Sequence, residues 1–438
     1  MAEIHPFRGV LYNPLKISDL AKAICPPYDI ISPAEQDELY ARDTHNFVRI
    51  EYNRETAQDN DRDNRYIRAA GYITGWLKEQ VLVADAGPAF YLHTQSFNWQ
   101  GKSYRRRNLT ACVRLEEWES KIIRPHENII PKAKSDRMNM LEACQANTSV
   151  VLAMFQDPGE IIATCLSKAE KIPPRFDFTD FNGERQQLWT LTDPVAIRVI
   201  QEAMAGQPLY IADGHHRYDS ALTYRKKRVG LTASPGGEEG YNFVMMSLID
   251  FADPGMVILP THRLVRGVPS SLLKDLKPRL QTFFDIVELP NSKNGWQEVD
   301  EHLNATWTGS QSSRLLVYGL TGDGLAVLSL RDEREAERWM PAARSDRYKK
   351  LDVSLVDHVI LEGQLGYNHE AENLTLAYTR DRAEAVQKVR SGEYQLAFIL
   401  NPVSPDVIKG IADAGDRMPR KSTYFYPKSP AGLVFYKW

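Results

Sequence analysis

The stretch PLYIADGHHRYDSALTYRKKR, residues 208–228, constrains the fold of this chain more than any other. PLYI is a short apolar run of strand type, and the following SALTYRKKR carries apolar Ala221, Leu222 and Tyr224 at helical spacing. A strand therefore turns directly into a helix at Gly214, a residue type that lets the backbone turn sharply and a bulky ligand come close. His215, His216 and Arg217 then fall in the first helical turn, where backbone N–H groups have no intrahelical partner and the helix dipole is positive. Such a terminus binds phosphate readily. Asp213 either caps the helix or takes a catalytic role. Adjacent histidines point about 100° apart on a helix, so these two do not chelate one metal together. The plain alternative is an ordinary capped helix with two exposed histidines.

A chain of 438 residues exceeds one ordinary core, so two or three packed units are expected. Its 54 basic and 57 acidic residues leave a net charge of −3, which removes the bulk electrostatic footprint of a nucleic-acid binder. Cys25, Cys112, Cys144 and Cys165 are scattered without the close pairing of a zinc site, and read as reduced thiols of a cytoplasmic protein. The opening MAEIHPFRGVLYNP is polar, with no apolar run of signal length, and no stretch reaches the roughly 20 apolar residues of a membrane helix. A membrane partner is therefore not expected.

Along the chain, Pro26 and Pro27 hold ICPPYDIIS extended ahead of Tyr28 and Asp29, and Pro33 opens a helix. Tyr66, Ala69, Ala70, Ile73, Trp76 and Leu77 mark an amphipathic helix within 61–80. FYLHTQSFNW and YRRRNLTACVRLE, around Gly101, read as a hairpin. A polar loop then leads into a helix expected to be capped by Ser135 or Asp136. Strands SVVLAMF, LWTLT, YNFVMMSLIDF and MVILPTHRLV follow among helices near 158–171 and 194–205, while RKKRVGLTASPGGEEG ends in a glycine-rich loop. From Pro269 onward helices and strands alternate without repeats, so the expected fold class is α+β (mixed α/β).

Three further clusters could carry chemistry. Arg124, Pro125, His126, Glu127, Lys132, Lys134, Asp136 and Arg137 combine a carboxylate beside a histidine, fit for a general base, with cations that offset charge on a transferred phosphoryl group. A solvated charged loop is the alternative. Thr261, His262 and Arg263 follow a buried-type strand, where ligands bind at the open end of α/β sheets. Arg420, Lys421, Ser422 and Thr423 could close over an anion or form a surface turn. A P-loop, a dinucleotide-binding glycine fingerprint and the protein-kinase signature set are absent from the sequence.

PFRGVLYN, CPPYDIIS, RPHENIIPKAKSDR, ADGHHRYDSA, LPTHRLV, LDVSLVDHVILEGQLG and MPRKSTYFYPK, in this order, resemble the landmarks of the family called domain of unknown function 1015. The turn Asp213–Arg217 also resembles the nucleotide-binding turn of the ParB and sulfiredoxin superfamily, which includes CTP-binding ParB proteins and kinases of free L-serine. The cysteine of sulfiredoxin is missing from this turn, and the lack of a helix-turn-helix pattern argues against DNA binding.

The resemblance implies a ParB/sulfiredoxin-like candidate catalytic core at 119–268, an N-terminal α+β segment at 1–118 and a C-terminal α/β domain at 269–438. It implies a nucleotide-dependent phosphotransferase acting on a small hydroxylated metabolite, with free L-serine as the specific acceptor, ATP or ADP as donor, and Mg²⁺. Gly214, His215, His216 and Arg217 would hold phosphates, with Lys134, Arg137, Thr261, His262 and Arg263 as further nucleotide contacts. Asp213 would position Mg²⁺ or the acceptor hydroxyl, and Glu127, beside His126, would accept the hydroxyl proton. One alternative is a CTP- or ATP-binding switch without transfer. Another is a metal-dependent hydrolase using His126, Glu127, His215 and His216. A homo-oligomer is left open.

Overall fold

The computed structural model describes residues 2–128, 131–231, 237–307, 313–368 and 374–438, with the side chains of 131–133 and 304–307 also outside the description. The core of the glycine-rich loop and the Lys132 side chain thus lie outside the described residues. The chain is α+β and divides into two units. One comprises Met1–Pro125, Ile129–Val257 and Pro427–Trp438, the other His126–Asn128 and Ile258–Tyr426.

The first unit is built on a nine-stranded sheet. Its strands in chain order are β1 (Ile4–His5), β2 (Phe90–Trp99), β3 (Lys102–Arg114), β4 (Ile123–Arg124), β5 (Val151–Phe155), β6 (Phe176–Thr179), β7 (Arg185–Leu191), β8 (Leu209–Asp213) and β9 (Phe243–Asp250). They lie in the order β4-β8-β5-β9-β3-β2-β7-β6, with β1 also paired to β3. β2 and β3 form the expected hairpin. β3 also pairs along its other edge with β9, so the boundary expected at residue 118 runs through a single sheet. The reason is that a long buried strand must satisfy backbone N–H and C=O groups on both edges, and the second partner here comes from far along the chain. The C-terminal Phe435–Lys437 likewise pairs with Gly9–Tyr12 and with Ala146–Asn147.

Strand alternation gives this sheet two unlike faces. On one, Phe90, Leu92, Leu109, Ala111, Val113, Val151, Ala153 and Phe155 form a core cluster. Ile200 and Met204 of α1 (Pro194–Met204), and Tyr218, Ala221 and Leu222 of α2 (His215–Val229), complete it. On the other face Tyr91, Cys112, Leu188 and Met245 join a second apolar cluster with Phe7, Val10, Leu11 and Tyr12. That second face also carries a polar patch: Gln186 stands opposite Gln95, Gln95 opposite Arg106, His93 opposite Asn108, and Thr110 opposite Ser247. All seven of these side chains are buried.

One local expectation fails. The helix after the polar loop begins at Pro131 and runs to Cys144, because proline suits a first helical turn, so Ser135 and Asp136 lie inside it rather than at its cap. Asp136 instead accepts from Arg65 at 2.5 Å and from the Tyr66 hydroxyl at 2.9 Å.

The second unit carries a six-stranded antiparallel sheet with Leu264, Leu316, Tyr318, Val327, Ala397 and Ile399 in its core. It also contains a π-helix at Leu355–Gln364, within LDVSLVDHVILEGQLG, a rare conformation that the sequence pattern does not announce. Cys25, Cys112, Cys144 and Cys165 are free thiols. Among the described residues no helix is long and apolar enough to cross a membrane.

Candidate functional site

β8 ends at Asp213 and α2 begins at His215, as the sequence indicates. Gly214 between them has φ +87°, and a Cβ there would come within 2.9 Å of Arg217 Nε, so both backbone and space demand glycine. The N-cap position is Gly214, which has no side chain to cap with, so Asp213 does not hold the capping position. Its carboxylate is held between two cations: Oδ2 accepts from Arg217 Nη2 at 2.8 Å and Oδ1 from Lys428 Nζ at 2.5 Å. Burial pushes this carboxyl up, but Lys428 and Arg217 outweigh it and hold it well below the usual carboxylate range.

Arg217 also donates to the Val150 carbonyl. Burial disfavours its charge, which Asp213 chiefly offsets, then Asp29, Tyr28 and Glu51, so the PPYD segment contributes to the surroundings of the turn. His215 is buried and His216 half-buried.

A second layer centres on Arg137. Its guanidinium lies 3.5 Å from the centroid of the Tyr28 ring, 3.6 Å from Glu51 and 2.5 Å from Asp136. Glu51 is fully buried and accepts from Thr148 Oγ1 at 2.6 Å and Ser149 Oγ at 2.7 Å. Arg137, Arg217, Thr148 and Ser149 help line a cavity of about 30 Å³, more than the roughly 10–15 Å³ that one water needs. Lys134 pairs with Asp219 of α2 at 2.8 Å, and its carbonyl accepts from Ser220 Oγ at 3.1 Å, which clamps two helices together.

The metal role expected of Asp213 does not fit. Each of its oxygens already contacts a cation, whereas Mg²⁺ and Ca²⁺ sites need carboxylate oxygens open to the ion. Among the described residues no group of three or more His, Cys, Asp or Glu could hold a metal ion. The hydrolase set His126, Glu127, His215 and His216 forms no such group.

In the second unit His126 is fully buried, 3.1 Å from Thr423 Oγ1, and its carbonyl accepts from Met418 N–H at 2.8 Å. Glu127 follows it, half-buried. The PTHR group is tied up structurally. Arg263 donates to the Thr261 carbonyl at 2.7 Å and the Arg420 carbonyl at 3.2 Å, and pairs with Asp357 of the π-helix at 3.2 Å. His262 Nδ1 accepts from Leu400 N–H at 3.2 Å, and burial lowers its pKa to about 4, so the ring is neutral at pH 7. These bonds hold sheet, π-helix and the 418–423 segment of this unit together.

Sequence reasoning missed Lys428, Gln95, Arg106 and Glu184. Gln95 Nε2 donates to Glu184 Oε2 at 2.6 Å and to the Lys428 carbonyl at 3.3 Å, while Arg106 Nη2 donates to Gln95 Oε1 at 2.6 Å. Burial pushes the Glu184 carboxyl up to about 7. A chain of hydrogen bonds therefore runs from Glu184 through Gln95 and Lys428 to Asp213. The available signal was alternation: His93 and Gln95, then Arg106 and Asn108, are polar residues two apart in otherwise strand-like runs.

The family described as "Protein of unknown function (DUF1015)" matches residues 4–354. No curated protein matches the chain. Among solved structures it is similar to a conserved hypothetical protein from Pyrococcus furiosus, at 13% identity and TM-score 0.35 over 74% of this chain and 93% of that one. It is similar to a free serine kinase in complex with AMP, at 14% identity and TM-score 0.35 over 73% and 86%. SbnI with a C-terminal truncation, from Staphylococcus aureus, is similar at 11% identity and TM-score 0.34 over 74% and 86%. Likenesses at these scores carry no functional argument.

Proposed function

Because the chain belongs to the DUF1015 family, whose description assigns no activity, we propose its function from the site: a nucleotide-dependent phosphotransferase acting on a small hydroxylated metabolite. ATP or ADP is the donor in this reading, and free L-serine is the acceptor to test first. The observation that carries it is the N-terminus of α2 behind Gly214, with two fixed cations beside it.

The nucleotide, when bound, supplies the phosphoryl group. The first-turn N–H groups of α2, with His215 and His216, hold its phosphates. Asp213 fixes Lys428 and Arg217 in position beforehand, so their charges act on developing negative charge without reorganisation. The role of accepting the hydroxyl proton falls to Glu127 by the family resemblance alone; within its own unit the neighbouring His126 is held by Thr423. Arg137 supports Tyr28 and Glu51 rather than reaching for phosphate, Lys134 clamps the helices, and Thr261, His262 and Arg263 brace the second unit. Asp213 serves here as the anchor of two cations and not as a metal ligand.

The purified chain with L-serine, Mg²⁺ and ATP or ADP forms phosphoserine, read by phosphorus NMR. Glu127→Gln abolishes turnover and leaves nucleotide binding intact. No product from any acceptor with an intact fold removes the kinase reading. A binding-only switch for CTP or ATP is favoured by one observation: Asp213, the carboxylate of the turn, is committed to cations. That reading gives thermal stabilisation by nucleotide, no product, and indifference to Glu127→Ala.

A further inference from the structure

We infer that Arg106 and Asn108, on the polar face of the first unit's sheet, form a subsite for a small molecule carrying both a carboxylate and a neighbouring hydrogen-bond donor, such as an amino or hydroxy acid. This rests on the phosphotransferase reading only in naming that molecule as the acceptor. Both side chains are buried, at 1% and 0% exposure. Among the described residues Arg106 Nε and both amide atoms of Asn108 have no hydrogen-bond partner. Buried polar groups are satisfied in the great majority of cases, and an unmade bond there carries a desolvation penalty. Two such residues, separated by one position on β3, point to one missing ligand, since residues i and i+2 of a strand share a face.

The unmet groups define the ligand's chemistry. Arg106 Nε and Asn108 Nδ2 are donors, which a carboxylate satisfies. Asn108 Oδ1 is an acceptor, which requires an O–H or N–H on the same ligand. The phosphoryl group of a phosphate monoester dianion offers no such donor. The charge balance agrees: Arg106 is faced by Glu184, Asp253 and Asp213, and Asp213 holds Lys428 and Arg217. A neutral zwitterion or a monoanion enters such a balanced field more easily than a dianion. A chain of bonds links the subsite to the turn: Arg106 bonds Gln95, Gln95 bonds the Lys428 carbonyl, and Lys428 Nζ pairs with Asp213.

The test is calorimetric titration of the full chain, without nucleotide, using L-serine and D-glycerate, with L-serinamide and inorganic phosphate as controls. One carboxylate probe binds, and L-serinamide is weaker by about tenfold or more, the order expected for losing one charge-assisted bond. Asn108→Leu removes the unmet amide, so it abolishes that binding while the free protein melts no lower than wild type and still binds ADP. Arg106→Lys keeps the charge and loses Nε, and weakens the carboxylate probe in the same way, which serves should Asn108→Leu not fold. Unchanged affinity in either folded variant, equal binding of L-serinamide, or preference for inorganic phosphate overturns the subsite. ADP binding with neither carboxylate probe bound overturns it too and leaves the phosphate site standing. Carboxylate binding without any nucleotide binding supports the subsite and removes the phosphotransferase reading.

Discussion

Replacing Asp213 with asparagine keeps the size of the side chain and removes the negative charge between Lys428 and Arg217. Both cation side chains are 9% exposed and sit 2.5 and 2.8 Å from the carboxylate oxygens. Removing one partner of a buried pair costs about 3–5 kcal/mol, because the remaining charge is left without compensation. Asp213 itself is 21% exposed, which argues for the low end, about 3 kcal/mol, after solvent screening. Lys428→Met removes the charge from the other side. If the two groups act on one another, the double variant loses less than the sum of the singles by about 1–3 kcal/mol. Because the two units need not unfold together, the readout is amide hydrogen exchange of peptides covering 209–229, which reports local opening. The pH dependence has a fixed sign. The carboxyl is depressed in the folded state, so its contribution is complete above the unfolded value near 3.9 and is lost as pH falls through the folded one. Asp213→Asn abolishes that acid dependence. A coupling term below about 0.5 kcal/mol refutes the account of a mutually supporting cation pair.

Two further outcomes follow from buried titratable groups. Burial raises the Glu184 carboxyl from 4.5 to about 7, so the folded state keeps a proton that the unfolded chain releases, and stability falls as pH rises between those values. Glu184→Gln, which can still accept from Gln95, stabilises the protein by about 2–3 kcal/mol at pH 8 and by little at pH 4 in calorimetric melts; equal gains at both would contradict the assignment. Burial lowers His262 from 6.5 to about 4, so its contribution is complete above the higher value and is lost as pH falls toward the lower. His262→Asn, with Oδ1 in place of Nδ1 opposite Leu400 N–H, loses less melting temperature than wild type between pH 7 and pH 4.5, and a parallel loss rejects the neutral-acceptor role.

The turn at Gly214 was legible because everything it needs is local: an apolar strand, a glycine and a helix with periodic apolar residues. The same holds for the β2–β3 hairpin around Gly101. Lys428 was not legible as the partner of Asp213, because 215 residues separate them and only the pairing of the C-terminal strand brings the tail back to the first unit. The boundary expected at 118 failed for a related reason, since β9 supplies the second edge of β3. PTHR read as a ligand site because a polar triplet after a strand looks the same whether it meets a ligand or, as with Arg263, backbone carbonyls and Asp357. Arg106 and Asn108 were visible only as polar residues in a strand, and it took the register to show that they share a buried face with Gln95 and Gln186.

The central claim is that the N-terminus of α2 binds nucleotide phosphates, and one titration series reads it directly. ADP, AMP, adenosine and pyrophosphate are titrated into wild type and His216→Glu. Phosphate-led binding ranks ADP above AMP above adenosine, by about tenfold or more per step lost, with pyrophosphate competing. His216→Glu places an acid where the helix dipole tolerates it, so the fold persists while ADP binding collapses. Adenosine binding as tightly as ADP, or a His216→Glu variant that binds ADP as wild type does, contradicts the account.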